Sequence, residues 1–173
     1  MTTGRPVSPA VRRRCAGLVR RLARTVGIPA PFELAGFLER WRAQRAGRPV
    51  ELLALDVDEL PRGTCGLWLE MPDRDVVGFP AGASRTHRDH IVLHEVGHML
   101  AGHHGVLGGG GTAALLPDLD PEMVRSVLGR SVYSDVQEQE AELIASLILH
   151  RSLRTGAHGD DPVVERLRRT LDD

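Results

Sequence analysis

The pentapeptide His94-Glu95-Val96-Gly97-His98 constrains this chain more than any other stretch of its sequence. It is an instance of the H-E-x-x-H pattern. On a helix, residues four apart lie roughly 40° apart around the axis, so both imidazoles project from one face and can bind one metal ion. Glu95 lies roughly 100° round from His94, off the metal. It is therefore placed to take a proton from a water molecule.

The residues around the pentapeptide favour a helix that is packed on both sides. Apolar side chains recur at helical spacing between Val92 and Leu100, which predicts one face turned toward a core. The two histidines lie opposite that face, beside the small residues Gly97 and Ala101. We therefore expect the histidine face to lie close to a second element. The simpler alternative is a surface helix that carries two incidental histidines.

Composition and charge exclude several classes of protein. The chain has 173 residues, enough for one domain, and only 3% are aromatic, so the core must be aliphatic. A net charge of −1 gives no global attraction to nucleic acid or to a membrane. The two cysteines have no metal-binding or disulfide spacing, and no signal peptide or membrane-spanning run is apparent. We expect a soluble, cytoplasmic protein that does not bind nucleic acid directly.

The N-terminal region combines a helix signal with a run of positive charge. Residues 1–8 are expected to be disordered, and Ser8-Pro9 then predicts a helix to about residue 26. The first 32 residues contain no acid, and arginines fill one face of this helix. That face could attract an acidic partner protein or nucleic acid. A solvated helix face is the simpler interpretation, because charge runs usually mean no more than that.

The remaining pattern predicts an α+β fold. It indicates a mostly helical domain over residues 9–173, with a small, largely antiparallel three-stranded sheet before the H-E-x-x-H helix. A glycine run at 108–111 predicts a mobile loop. The predicted helices span 9–26, 31–46, a segment that Ser84 or Thr86 caps and that runs to about Ala101, 120–128, a segment from Ser134 or Asp135 to about 153, and 162–171. The predicted strands span 48–57, 66–70 and 75–79, and the tight turn between the last two predicts an antiparallel hairpin.

A catalytic zinc site needs a third protein ligand besides the two histidines, and two candidates match other families poorly. His104 follows His94 by ten residues, the metzincin spacing, but Ala101 stands where that pattern requires glycine. Cys65 would suggest a peptide-deformylase-like site, but the other motifs of that family are not found. Cys65 is better explained as a small apolar packing residue.

The third candidate is a carboxylate on the acidic helix that begins near residue 134. Glu138 shares one side of that helix with Ala141 and Ala145, and these small residues permit a close approach to the histidine face. Glu140 lies among large apolar residues, where a carboxylate would need a partner of its own. The spacing mildly prefers Glu138 for a site of two histidines and one glutamate, and leaves Glu140 open.

These motifs together resemble a known family. HEVGH followed by E-x-E-A-E-x-I-A resembles the H-E-x-x-H … E-x-x-A-N/D-x-F-A pattern of the ImmA/IrrE-type metallopeptidases, over roughly residues 30–150. The resemblance implies a zincin-like, gluzincin-type fold with one Zn²⁺ per chain, held by His94, His98 and Glu138, and with Glu95 as the catalytic residue. Residue types alone do not separate Zn²⁺ from Mn²⁺.

Residues around the metal ligands are candidates for further roles. Glu142 stands where the family has Asn or Asp and would hold a ligand imidazole. His90 replaces the family's aromatic residue one turn before His94, and could support that imidazole or face the substrate. A histidine that only belongs to the start of the helix is the simpler interpretation. Tyr133, His103 and His104 are candidates to stabilise the negatively charged oxygen of the transition state. An ordinary packing or surface-loop position is the alternative for each of these three.

The implied function is a zinc-dependent endopeptidase. By resemblance, its substrate would be a helix-turn-helix transcriptional repressor, encoded separately, whose cleavage relieves repression. A different class is also open: a zinc-binding regulator or toxin–antitoxin component that binds a DNA-binding partner without turnover. Glu95 favours the enzyme, because a structural metal site needs no general base. A zinc hydrolase that acts on small amides is a third, weaker alternative.

Overall fold

The computed structural model describes residues 7–56, 60, 65–104, 106–107 and 133–156. The predicted glycine loop at 108–111, the predicted helices at 120–128 and 162–171, and residues 1–6 lie outside the described part. The helices in the described part are α1 (Pro9–Thr25), α2 (Leu34–Gln44), α3 (Arg85–Ala101) and α4 (Asp135–Gly156), and the strands are β1 (Val50–Leu55), β2 (Leu67–Glu70), β3 (Asp75–Pro80) and β4 (Val106–Leu107).

The helix boundaries follow from local capping. Ser8 accepts a hydrogen bond from the backbone of the first turn of α1, so it belongs to the helix start and not to a disordered segment. Ser84 plays the same part for α3, and the alternative Thr86 lies inside that helix. Gly102 ends α3 with φ 74°, a left-handed conformation that glycine adopts without strain. α2 begins later than the pattern predicts, because the Glu33 side chain caps it.

The sheet is mixed, and the prediction of a largely antiparallel sheet is wrong. The strand order is β1-β3-β2-β4. Only β2 and β3 are antiparallel, joined by the turn in which the Met71 N–H donates to the Arg74 carbonyl oxygen at 2.9 Å. β1 runs parallel to β3, and β4 runs parallel to β2. The period-2 pattern predicts which face of a strand is buried, but it does not predict which strand becomes its neighbour.

The helices build the main core on one face of the sheet. α3 packs against both β3 and α4, and α1 packs on α4. The apolar residues of α1 face this core, and most of its arginines are exposed. A smaller apolar cluster, centred on Leu67, Leu69 and Val76, covers the other face of the sheet. The fully buried large side chains of the main core include Phe37, Val77, Val92, Leu93, Val96, Ile144 and Ile148.

The histidine-bearing helix is therefore a central element and not a surface helix. Val92, Leu93 and Val96 are fully buried on its apolar side, as its periodicity predicts. Burying each such side chain contributes about 1.5–3 kcal/mol, so α3 is held firmly in place. In the described part of the chain, no helix combines the length and the apolar character that crossing a membrane requires.

Candidate metal centre

The candidate centre exists because α3 and α4 meet backbone to backbone. A Cβ atom on Gly97 would lie 2.7 Å from the carbonyl oxygen and 2.9 Å from the Cα of Ala141. Ala141 itself is fully buried. Only glycine at position 97 permits this approach. Because residues three and four apart share a helix face, the contact brings Glu138 of α4 against His94 of α3.

Three potential metal ligands converge at this crossing. The Nε2 atoms of His94 and His98 lie 3.1 Å apart, and His94 Nε2 lies 3.2 Å from Glu138 Oε2. Glu138 Oε1 lies 3.8 Å from His98 Nε2. One ligand atom from each residue lies within 4.8 Å of the others, close enough to surround a single ion.

The other candidates for the third ligand lie elsewhere. Glu140 points to the opposite side of α4, where its carboxylate contacts Arg14 and His103. Cys65 and His104 are both exposed and do not belong to the ligand cluster. The structure thus brings Glu138, and not the three alternatives, to the two histidines of the motif.

The charges in the cluster suit the uptake of a cation. Burial, reinforced by the charge of His94, lowers the pKa of His98 to about 3, so its imidazole is neutral and can act as a ligand. The hydrogen bond with His94 is the main cause that lowers the pKa of Glu138. Burial acts to lower the pKa of His94, but Glu138 and the negative charges of Glu95 and Glu142 outweigh it and raise that pKa. A metal ion would displace the proton that His94 and Glu138 share.

Glu95 is a buried carboxylate beside this cluster. It is 5% exposed, and burial raises its pKa to about 7, with a smaller contribution from the charge of Glu138. Gly66, just before β2, makes room for it, because a Cβ there would lie 3.0 Å from Glu95 Oε1 and 2.5 Å from Ile91 Cγ2. A carboxyl group with a pKa near neutral can both accept and return a proton at physiological pH.

Tyr133 lies against the cluster from the segment that precedes α4. Its ring stacks on His98 with centroids 3.7 Å apart and an interplanar angle of 21°. Burial, with the nearby carboxylates Glu95 and Glu138, raises the pKa of Tyr133, so the phenol keeps its proton. Of the three residues predicted to stabilise a developing negative charge, Tyr133 thus places a protonated phenol side chain against His98. His104, in contrast, is exposed outside it.

A further carboxylate and histidine extend the centre along α3. Glu142 Oε2 lies 3.5 Å from His94 Nδ1, the ring nitrogen that is not directed at His98. The same oxygen lies 3.2 Å from His90 Nε2. Glu142 thus lies beside the His94 ring, and its predicted role of holding that ring stays a prediction. His90 contacts Glu142 one turn further from the cluster.

His103 occupies a position that the sequence did not predict. Its Nδ1 lies 3.0 Å from His98 Nδ1, and its Nε2 lies 3.0 Å from Glu140 Oε2. His103 is 8% exposed and faces the side of His98 that is away from the other ligands. Arg14 of α1 completes this group and was also missed. The one available signal was that Glu140, among apolar residues, required a partner.

The donor set fits a zinc ion. Two imidazole nitrogens and one carboxylate oxygen form one of the ligand sets of catalytic zinc, and this set leaves a fourth position for water or substrate. Searches of the chain against protein-family models, curated proteins and solved structures found no match.

Proposed function

We propose that this protein is a zinc-dependent endopeptidase with a zincin-like fold. One Zn²⁺ per chain would be held by His94, His98 and Glu138. The observation that carries the proposal is the convergence of these three ligands beside the buried carboxylate of Glu95. When bound, zinc would polarise the scissile carbonyl and lower the pKa of a water molecule.

Glu95 would move the proton in this reaction. Its pKa of about 7 makes the carboxylate a base strong enough to take a proton from the attacking water, and its conjugate acid can then protonate the leaving amine. A metal site that serves only for binding requires no general base beside it. This favours an enzyme over a zinc-binding regulator without turnover.

Tyr133 would stabilise negative charge on the carbonyl oxygen of the substrate. It stacks on His98 and keeps its proton, so it has the two properties of a positioned hydrogen-bond donor. His103 suits this role less well, because both of its ring nitrogens lie within hydrogen-bond distance of other groups.

The substrate class rests on the resemblance to the ImmA/IrrE-type metallopeptidases. On that basis the substrate would be a helix-turn-helix repressor encoded separately, cleaved in the cytoplasm to relieve repression. The support is the HEVGH motif together with the E-x-E-A-E-x-I-A motif of α4, which the fold brings to one site.

Metal analysis of the purified protein tests the ligand set. We expect about one zinc per chain in the wild type and little or none in Glu138→Ala. Asp135→Ala removes an exposed carboxylate from the first turn of the same helix and serves as the matched control. Zinc retained at wild-type affinity in Glu138→Ala would refute the ligand set, and no zinc in the wild type would refute the metal site altogether.

Cleavage of a denatured protein tests the activity. Glu95→Gln should keep its zinc and lose activity by about 10²–10⁴-fold, the usual contribution of a general base. A wild type that binds zinc but cleaves neither denatured proteins nor a co-encoded repressor would favour the regulator that acts by binding. Turnover of small amides alone would identify a hydrolase that is not a peptidase.

A further inference from the structure

We propose that Arg14, Glu140 and His103 form a positioning relay that sets the tautomer and orientation of His98, and with them the affinity of the site for zinc. The proposal rests on the proposed function in one respect, that His98 binds the metal through Nε2. It assigns a role to α1, whose arginines had suggested only a solvated surface or a docking face.

The relay is continuous and largely buried. His98 contacts His103 through the two Nδ1 atoms at 3.0 Å, and His103 Nε2 lies 3.0 Å from Glu140 Oε2. Arg14 Nη1 donates to Glu140 Oε1 at 2.5 Å. The side chains of His98, His103 and Glu140 are 1%, 6% and 6% exposed, so water does not readily substitute for these partners.

The end of α3 delivers His103 to this position. Gly102 adopts the left-handed conformation, and the chain then turns so that the His103 N–H donates to the His98 carbonyl oxygen at 3.0 Å. Arg14 Nη2 donates to the Ala101 carbonyl oxygen at 2.7 Å, in the last turn of α3. A cation there is favoured by the unpaired carbonyls of the helix end. Arg14 thus binds both Glu140 and the helix that carries the ligands.

The charges allow only one arrangement of protons when His98 binds a metal. A metal on His98 Nε2 leaves the proton on Nδ1, so Nδ1–H must donate to His103 Nδ1. His103 Nδ1 is then the acceptor, and its proton lies on Nε2, which donates to Glu140. Glu140, paired with Arg14, accepts from both sides. Reversing the direction of these hydrogen bonds would put a proton on His98 Nε2, which could then no longer bind the metal.

Partners of this kind commonly change metal affinity by about 10–100-fold when they are removed. We expect His103→Ala to weaken zinc binding by about that factor, as measured by competition with a chelator. His103→Gln keeps one acceptor and one donor and should recover most of the loss. Arg14→Ala should weaken binding by a smaller factor, because the arginine side chain is half exposed. Arg13→Ala removes an exposed arginine from the same helix and should bind zinc like the wild type.

Long-range ¹H–¹⁵N NMR of the wild type reads the tautomers directly and depends on no variant. In the zinc-loaded protein we expect the protons on His98 Nδ1 and His103 Nε2. A proton on His103 Nδ1, or wild-type zinc affinity in His103→Ala, would overturn the relay and leave the zinc site intact. A wild type that binds no zinc would overturn the metal site instead. In that case the His103 tautomer of the metal-free protein tests the relay, because Glu140 still requires the proton on His103 Nε2.

Discussion

Two buried carboxylates in this protein have opposite properties. Asp75 is fully buried at the start of β3, and Glu95 is 5% exposed on α3. Asp75 accepts hydrogen bonds from Arg48, Arg45 and the Trp68 indole N–H. Burial alone would raise its pKa, but these partners lower it below the ordinary value for an aspartate. Burial raises the pKa of Glu95 to about 7, and the opposing charge of His94 does not compensate for this increase.

The difference shows that partners, and not burial, decide what a buried carboxylate does. Asp75 is satisfied on both oxygens, and its partner Arg48 also donates to the carbonyl oxygens of Met71 and Arg74. This group joins the segment after α2 to the β2–β3 turn and stabilises the fold. Glu95 is not neutralised in this way, so it can exchange a proton near neutral pH.

Removing the partnered carboxylate should have the largest effect on stability. Asp75→Ala would leave the Arg45 and Arg48 guanidinium groups without their carboxylate and should cost about 3–5 kcal/mol in the free energy of unfolding. Denaturant unfolding measures this. Asp73→Ala, whose side chain is 71% exposed, is the matched control and should change stability by less than about 0.5 kcal/mol. A loss below about 1 kcal/mol in Asp75→Ala would mean that the ionic group contributes little.

Removing the charge of Glu95 should instead increase the free energy of unfolding. Its pKa is raised from 4.5 to about 7 in the folded protein, so folding binds a proton and stability falls as the pH rises through that window. The shift corresponds to about 3 kcal/mol. Metal-free Glu95→Gln should therefore unfold at higher denaturant than the wild type at pH 8, with the difference closing by pH 4.

Asp75→Asn provides the contrast in the pH profile. The pKa of Asp75 is lowered from 3.8, so its stabilising contribution is present above that pH and is lost as the pH falls through the folded-state pKa. The substitution should flatten the acid side of the stability profile and leave the 4.5–7 window unchanged. If Glu95→Gln and Asp75→Asn changed the stability equally within the same pH window, the distinction between the two carboxylates would be wrong.

The smallest effect on stability, but a direct one on the site, is expected from Gly97→Ala. The added Cβ would force α3 and α4 apart at Ala141, at a cost of about 1–3 kcal/mol. Zinc affinity, measured by chelator competition, should fall with it, because Glu138 would move from His94. Gly17→Ala on α1 is the control: nothing closer than 3.9 Å meets its Cβ, and it should stabilise the helix by about 0.5–1 kcal/mol. Unchanged zinc affinity in Gly97→Ala would show that the close helix approach does not set the ligand geometry.

The sequence by itself determined the features that depend on neighbours within a few residues. The apolar stripe of α3, the caps at Ser8 and Ser84, and the β2–β3 hairpin were predicted from local pattern and are present. The small residues of α4 also indicated Glu138 as the side chain that approaches the histidines. These features follow from helical and strand periodicity, which acts within one element or one turn.

Only the tertiary structure decided the pairings between distant parts of the chain. Arg14 and Glu140 are 126 residues apart, and Arg45 and Asp75 are 30 apart. The parallel pairing of β1 with β3 is of the same kind. Periodicity indicates which face of an element is buried, but the partner of a buried charge depends on how whole elements pack. The role of Glu140, whose need for a partner was readable in the sequence, became apparent only when α1 was placed beside it.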